Sequence, residues 1–224
     1  MWTFFTLNQD VVIEIGFANS ESKTSDFDIL GFEKEAWFLD SVLKDSEANP
    51  ILLPDHDAVE KIKSSFLQSG RLPFVYLKLH GSYGWQKKDG SDAMVIGDSK
   101  TKAIADEPLL RWYHDLFQET LLREGQKLVV IGYGFGDSHI NGAIADGIRK
   151  SRLRLHIVNP MGADALRDRL MRLPIEQERR LTFDSIIWEG LGGYHQGTVC
   201  NLYNRGSGLT HEGETFLKNC GLIS

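Results

Sequence analysis

Three short polar clusters in this chain stand directly after apolar runs, and each has residues that could do chemistry. The first is Lys78-Leu79-His80-Gly81-Ser82, after a run that begins at Phe74. An unperturbed imidazole titrates near neutrality, so an accessible His80 could act as a general base. A structural histidine bonded to a nearby carbonyl fits the same residues. The second is Thr6-Leu7-Asn8-Gln9-Asp10. Amides and a carboxylate at a strand end can orient sugar hydroxyls, a water or a carboxamide. An Asx-type helix cap by Asn8 or Asp10 is the plainer reading. The third is Gly132-Tyr133-Gly134-Phe135-Gly136-Asp137. Glycines permit positive φ and close approach of a ligand to the backbone, and a helix start beyond them offers free N–H groups to a phosphate. A tight turn capped by Asp137 explains the same residues.

The glycine-rich turn is not the fingerprint of a hydride-transfer enzyme. G-x-G-x-x-G would need glycine at 137, where Asp137 stands, and the next strand should end in an acid that holds the ribose hydroxyls. Here it ends in Asn159-Pro160. The remaining histidines, at 56, 114, 139, 156, 195 and 211, lack metal-ligand spacing; His139 follows the glycine-rich turn directly, and His156 alternates within a strand as a structural residue would. No serine elbow and no P-loop is present.

The elements that must position these clusters read as an α/β alternation. Strands are expected at 2–7, 74–79, 127–132, 153–158 and near 181–188. Helices are expected at 32–44, 57–69, about 107–123, 138–149, 162–171 and 213–219, with a helical turn through Glu14. Residues 17–31 and 45–56 read as loops. Lys87-Lys88-Asp89-Gly90 reads as a turn in a hairpin returning through Met94-Val95-Ile96. Apolar strands alternating with helices imply a Rossmann-like parallel sheet with helices on both faces. Ligands of such sheets bind beyond the carboxyl ends of the strands, which selects Asn8 and Asp10, His80 to Ser82, Gly132 to Asp137, and Asn159. Residues 1–190 are expected to form this domain, and 191–224 a C-terminal tail with a short helix.

Composition narrows the class. The 224 residues carry a net charge of −6, so nothing points to nucleic-acid binding. No apolar run approaches the ~20 residues of a membrane span, and the N-terminus lacks the basic flank of a signal peptide. Cytoplasm is the expected location. Cys200 and Cys220 form no C-x-x-C pair, so no zinc or other metal site is read and reduced thiols are expected.

Taken in order, the clusters resemble the sirtuin family, and more closely its bacterial sirtuin-like branch of antiphage defence NADases. Thr6-Leu7-Asn8-Gln9-Asp10 is similar to that family's T-x-N-x-D segment, and Leu79-His80-Gly81-Ser82 to its catalytic His-Gly segment. Ile131 to Asn141 resembles the G-Y-S-F-S-D-x-H-I-N stretch of the bacterial branch, and Ile157-Val158-Asn159 the strand end that contacts the adenosine ribose. The resemblance implies NAD as substrate and cleavage of its nicotinamide–ribose bond. It places Asn8 on the ribose or the attacking water, His80 as base, and Asp10 on the carboxamide. Gly132, Tyr133, Gly134 and Asn159 would line the adenosine side. Leu7 stands where deacylating sirtuins have glutamine, and their four-cysteine zinc module has no counterpart, so NAD hydrolysis is expected ahead of protein deacylation. A non-catalytic sensor or assembly module that binds NAD or ADP-ribose, alone, with a protein partner or as a homo-oligomer, is the alternative. The family's first strand and G-A-G-x-S phosphate loop precede T-x-N-x-D and are missing here, which gives the expectation that the chain is part of a longer protein.

Overall fold

Short apolar strands, each followed by a turn and a helix, set the architecture of the computed structural model, which describes residues 2–8, 27–29, 51–69, 74–97, 99–171, 183–204 and 208–223. The chain divides into two compact units, Met1–Leu116 and Phe117–Ser224. Both are α/β, with parallel strands flanked by helices, as the alternation of the sequence requires. The helical turn through Glu14 and the helix expected at 32–44 lie outside the described residues.

In the first unit, strands β1 (Trp2–Thr6), β2 (Phe27–Ile29) and β4 (Phe74–Lys78) make a parallel sheet in the order β1-β4-β2. The central position of β4 explains its near-continuous burial from Val75 to Lys78, since a strand flanked on both sides and covered on both faces reads as an unbroken run. β2 falls within a stretch expected to be loop. Its three residues are too few to show a two-residue period, and pairing with β4 decides their conformation. β3 (Ile51–Leu52) likewise interrupts an expected connection by pairing with β5 (Trp85–Gln86). Between them lies α1 (His56–Ser69), entered through Asp55, whose carboxylate accepts from the Ala58 N–H at 2.8 Å. Lys88, reaching back to Asp55, holds that carboxyl below its ordinary range.

The Lys87–Gly90 turn forms as expected, with the Gly90 N–H donating to the Lys87 carbonyl at 3.0 Å. The return strand does not. Antiparallel pairing is confined to a single bridge between Gln86 and Asp92. The Val95 N–H donates instead to the His80 carbonyl at 2.9 Å, so this segment ties down the end of β4. The helical region after it splits at Glu107 into α2 (Lys100–Asp106) and α3 (Pro108–Leu121), because proline opens a helix and disfavours helical backbone in the residue before it.

In the second unit, β6 (Lys127–Ile131), α4 (Ser138–Ser151), β7 (Arg154–Asn159) and α5 (Ala163–Met171) follow the expected alternation. The strand expected near 181–188 is a helix, α6 (Phe183–Glu189). Ile186-Ile187-Trp188 is too short a run to show a period. Gly190 after it lets the helix end pack closely: a Cβ there would lie 2.4 Å from Ile148 of α4. The next residues form β8 (Leu191–Gln196), and the sheet order is β6-β7-β8, all parallel. The sheet of the second unit therefore includes residues 191–196. A bulge places Gly193, not Gly192, opposite His156.

Beyond β8 come α7 (Val199–Leu202), the two-residue strands β9 (Tyr203–Asn204) and β10 (Gly208–Leu209), and α8 (His211–Asn219). Leu202, Phe216 and Cys220 pack with Val158 of β7 in one apolar cluster. Both cysteines are free thiols, Cys220 buried and Cys200 exposed. Among the described residues, no helix is long and apolar enough to cross a membrane.

Candidate functional site

Two clusters stand at the same end of one sheet in the first unit because their strands are neighbours. β1 and β4 run parallel with Thr6 opposite Lys78, so Asn8 and His80 each lie two residues beyond that pair, at the carboxyl ends of adjacent strands. The Leu79 N–H donates to the Thr6 carbonyl at 3.0 Å, extending the ladder by one bond. The Thr6 side chain then accepts from the Asn8 N–H at 3.0 Å, which turns the chain as it leaves the sheet. Asn8 is exposed, and His80 is 3% exposed. Asp10 lies outside the described residues.

Gly81 fixes how the chain leaves His80. Its φ is +72°, and a Cβ would stand 2.1 Å from the Ala93 carbonyl oxygen, so both conformation and space exclude a side chain. The adjacent Ser82 is buried. His114, on α3, was passed over by spacing arguments because it lies far from His80 in sequence. It is buried, and one of its ring nitrogens lies within 4.8 Å of one in His80. As a pair the two rings offer two nitrogen donors to a metal ion; a structural zinc site uses four ligands.

In the second unit, β6 and β7 bring the glycine-rich turn beside Asn159. Ile131 pairs with Val158, and the Gly132 N–H donates to the Val158 carbonyl at 3.2 Å. Gly132 has a φ of +66°, the left-handed conformation glycine adopts without penalty. Phe135 has a φ of +53° and is buried, an uncommon backbone for a bulky residue that its surroundings must hold in place. Asn141 of α4 does so, its side-chain amide donating to the Phe135 carbonyl at 3.0 Å. The Phe135 ring packs on Tyr133 with centroids 4.8 Å apart. Asp137 occupies the N-cap position of α4 without a side-chain cap bond, which leaves the plainer reading of the turn unmet in that detail.

Asn159 closes β7. Its side-chain oxygen accepts from the Met161 N–H at 2.8 Å and its carbonyl from the Gly197 N–H at 3.0 Å. It stands opposite Gln196, the last residue of β8. The end of β8 was not read from sequence as part of the site region, because glycines at 192, 193 and 197 obscure the strand. His195 is buried there, Nδ1 3.6 Å from Glu212. Its Nε2 has no hydrogen-bond partner among the described residues and faces Gly197, where a Cβ would come within 2.7 Å. A hollow of about 340 Å³ runs along the flank of α4, lined by Ser138, His139, Gly142 and Asp146 with Gln118 and Leu122.

A sequence model of the SIR2-like domain family matches residues 3–182. That span includes the Asn8, His80, glycine-rich and Asn159 clusters and stops before β8. No curated protein is significantly similar to the chain.

Proposed function

The chain belongs to the SIR2-like domain family, and from that membership we propose that it consumes NAD, hydrolysing the nicotinamide–ribose bond to release nicotinamide and ADP-ribose. The observation that carries this reading is the pairing of β1 with β4, which puts Asn8 and His80 at one end of one sheet. Ligands of parallel sheets bind at that end.

Cleaving the bond develops oxocarbenium-like charge on the ribose. The site then needs an oriented water and a base more than it needs an acid. Asn8 orients the water or the ribose. His80 takes the proton as the water attacks, and nicotinamide leaves with the bonding electron pair. Asp10 holds the carboxamide. His114 is a positioning residue that fixes the His80 ring. In the second unit, Gly132, Tyr133, Gly134 and Asn159 are the candidates for contact with an adenosine group. A positioned base contributes about 10²–10⁴-fold.

The similarity of Ile131–Asn141 to the defence branch supports a setting in bacterial antiphage defence, in the cytoplasm. Incubation with NAD and measurement of released nicotinamide tests the activity. Release abolished by His80→Ala supports hydrolysis. Binding of NAD without release supports a sensor, and release only in the presence of an acylated peptide supports a deacylase.

A further inference from the structure

Two glycines of the 132–137 turn have no explanation in the geometry of the described residues. Gly132 needs its positive φ, but Gly134 and Gly136 have none. Among the described residues, a Cβ at Gly136 would meet nothing within 4 Å. One at Gly134 would meet only the two terminal nitrogens of Arg169, at 3.8 and 3.9 Å, ordinary contact distances. Neither conformation nor packing requires glycine there. The missing side chains leave room over the backbone, and a guanidinium borders that room.

Arg169 comes from α5, the helix that follows Asn159. The neighbouring carboxylates are engaged elsewhere: Asp164 and Asp168 both pair with Arg167, each at 3.2 Å. Among the described residues Arg169 itself has no ion pair. Its fork of N–H donors suits the oxygens of a phosphate, which it can bind through two parallel bonds. Asp137 stands at the N-cap position of α4, and a carboxylate beside that helix start disfavours a second negative group there. The cation must come from α5 instead.

We propose that Arg169 binds the diphosphate of the dinucleotide across Gly134, a role that rests on the NAD reading above and assigns the diphosphate a residue. Gly134 supplies the space and Arg169 the charge, while Asn159 at the end of β7 remains available to the adenosine sugar.

The test is calorimetric binding of ADP-ribose, ADP and adenosine to the wild-type chain and to Arg169→Ala, Arg169→Lys and Gly134→Leu. Arg169 is exposed, so its replacement leaves folding intact, which circular dichroism checks. Arg169→Ala weakens ADP-ribose and ADP by about 10- to 100-fold and leaves adenosine unchanged. Arg169→Lys restores part of the loss. Gly134→Leu weakens the phosphate-bearing ligands with the arginine still in place. Undiminished ADP-ribose binding by Arg169→Ala, or an equal loss of adenosine, overturns the assignment and leaves the NAD reading standing. If the wild-type chain binds none of the three, both fall together.

Discussion

The hydroxyl of Tyr133 lies 2.9 Å from the side-chain oxygen of Asn141, and the amide nitrogen of the same asparagine donates to the Phe135 carbonyl. One buried residue of α4 thus holds both ends of the bend at 133–135. Asn141→Leu leaves the Phe135 carbonyl without its side-chain donor, at about 1–3 kcal/mol for a buried group, and takes one of several bonds from the half-buried Tyr133 hydroxyl. Thermal unfolding at lower temperature checks the stability effect. A greater loss of affinity for ADP-ribose than for free nicotinamide checks the role of the turn.

Gly81→Ala and Gly134→Ala make a contrasting pair. At Gly81 the positive φ alone costs about 1–3 kcal/mol in a residue with a side chain, and the clash with Ala93 adds to it. The exit from His80 must shift, so activity and stability fall together. At Gly134 the backbone is ordinary and the nearest atoms are a mobile guanidinium. Gly134→Ala retains its unfolding temperature to within the scatter of surface substitutions. Equal destabilisation by the two variants would contradict the geometry.

His114→Gln separates positioning from folding. The variant keeps a polar group near His80 but loses the imidazole. The expected outcome is a fall in kcat with KM for NAD little changed, because His114 acts on the base and not on the substrate. An unchanged kcat in a folded variant would remove His114 from the account.

His156 gives the second unit a pH dependence of known sign. Burial first, and then the positive charge of Lys127, hold its pKa below the ordinary 6.5. The unfolded chain therefore binds a proton more readily than the folded one. The contribution to stability is complete above about pH 6.5 and is lost as pH falls toward the lower folded value. His156→Leu should flatten the fall in unfolding temperature between pH 7 and 5 relative to the wild type. The same ring explains Gly193, where a Cβ would lie 2.8 Å from its Nδ1. Gly193→Ala forces the ring to move and lowers stability at neutral pH.

Legibility in the sequence followed the length of the local signal. Five-residue apolar strands such as β6 and β7, and helices with caps and an apolar stripe such as α1 and α4, were readable because each carries its own periodicity. β2 and β3 were not, since two or three residues take their conformation from a partner strand. The apolar run before Gly190 fits a strand by local pattern, and its packing on α4 accompanies the helix it forms. Asn8 and His80 stood out as polar residues ending apolar runs, but their adjacency depends on strand order, which no local pattern records. His114 and Arg169 were hidden for the same reason, since each lies far in sequence from the residue it neighbours, His80 and Gly134.

The central claim is that Asn8 and His80 act on one NAD molecule in one step. It is tested by initial rates of nicotinamide release from NAD by the wild-type chain, Asn8→Ala, His80→Ala and the double variant. Residues that act as a unit are strongly non-additive. The account predicts that each single variant loses about 10²-fold or more and that the double variant is little worse than the poorer single one. Wild-type rates in His80→Ala, or losses that multiply in the double variant, would contradict it.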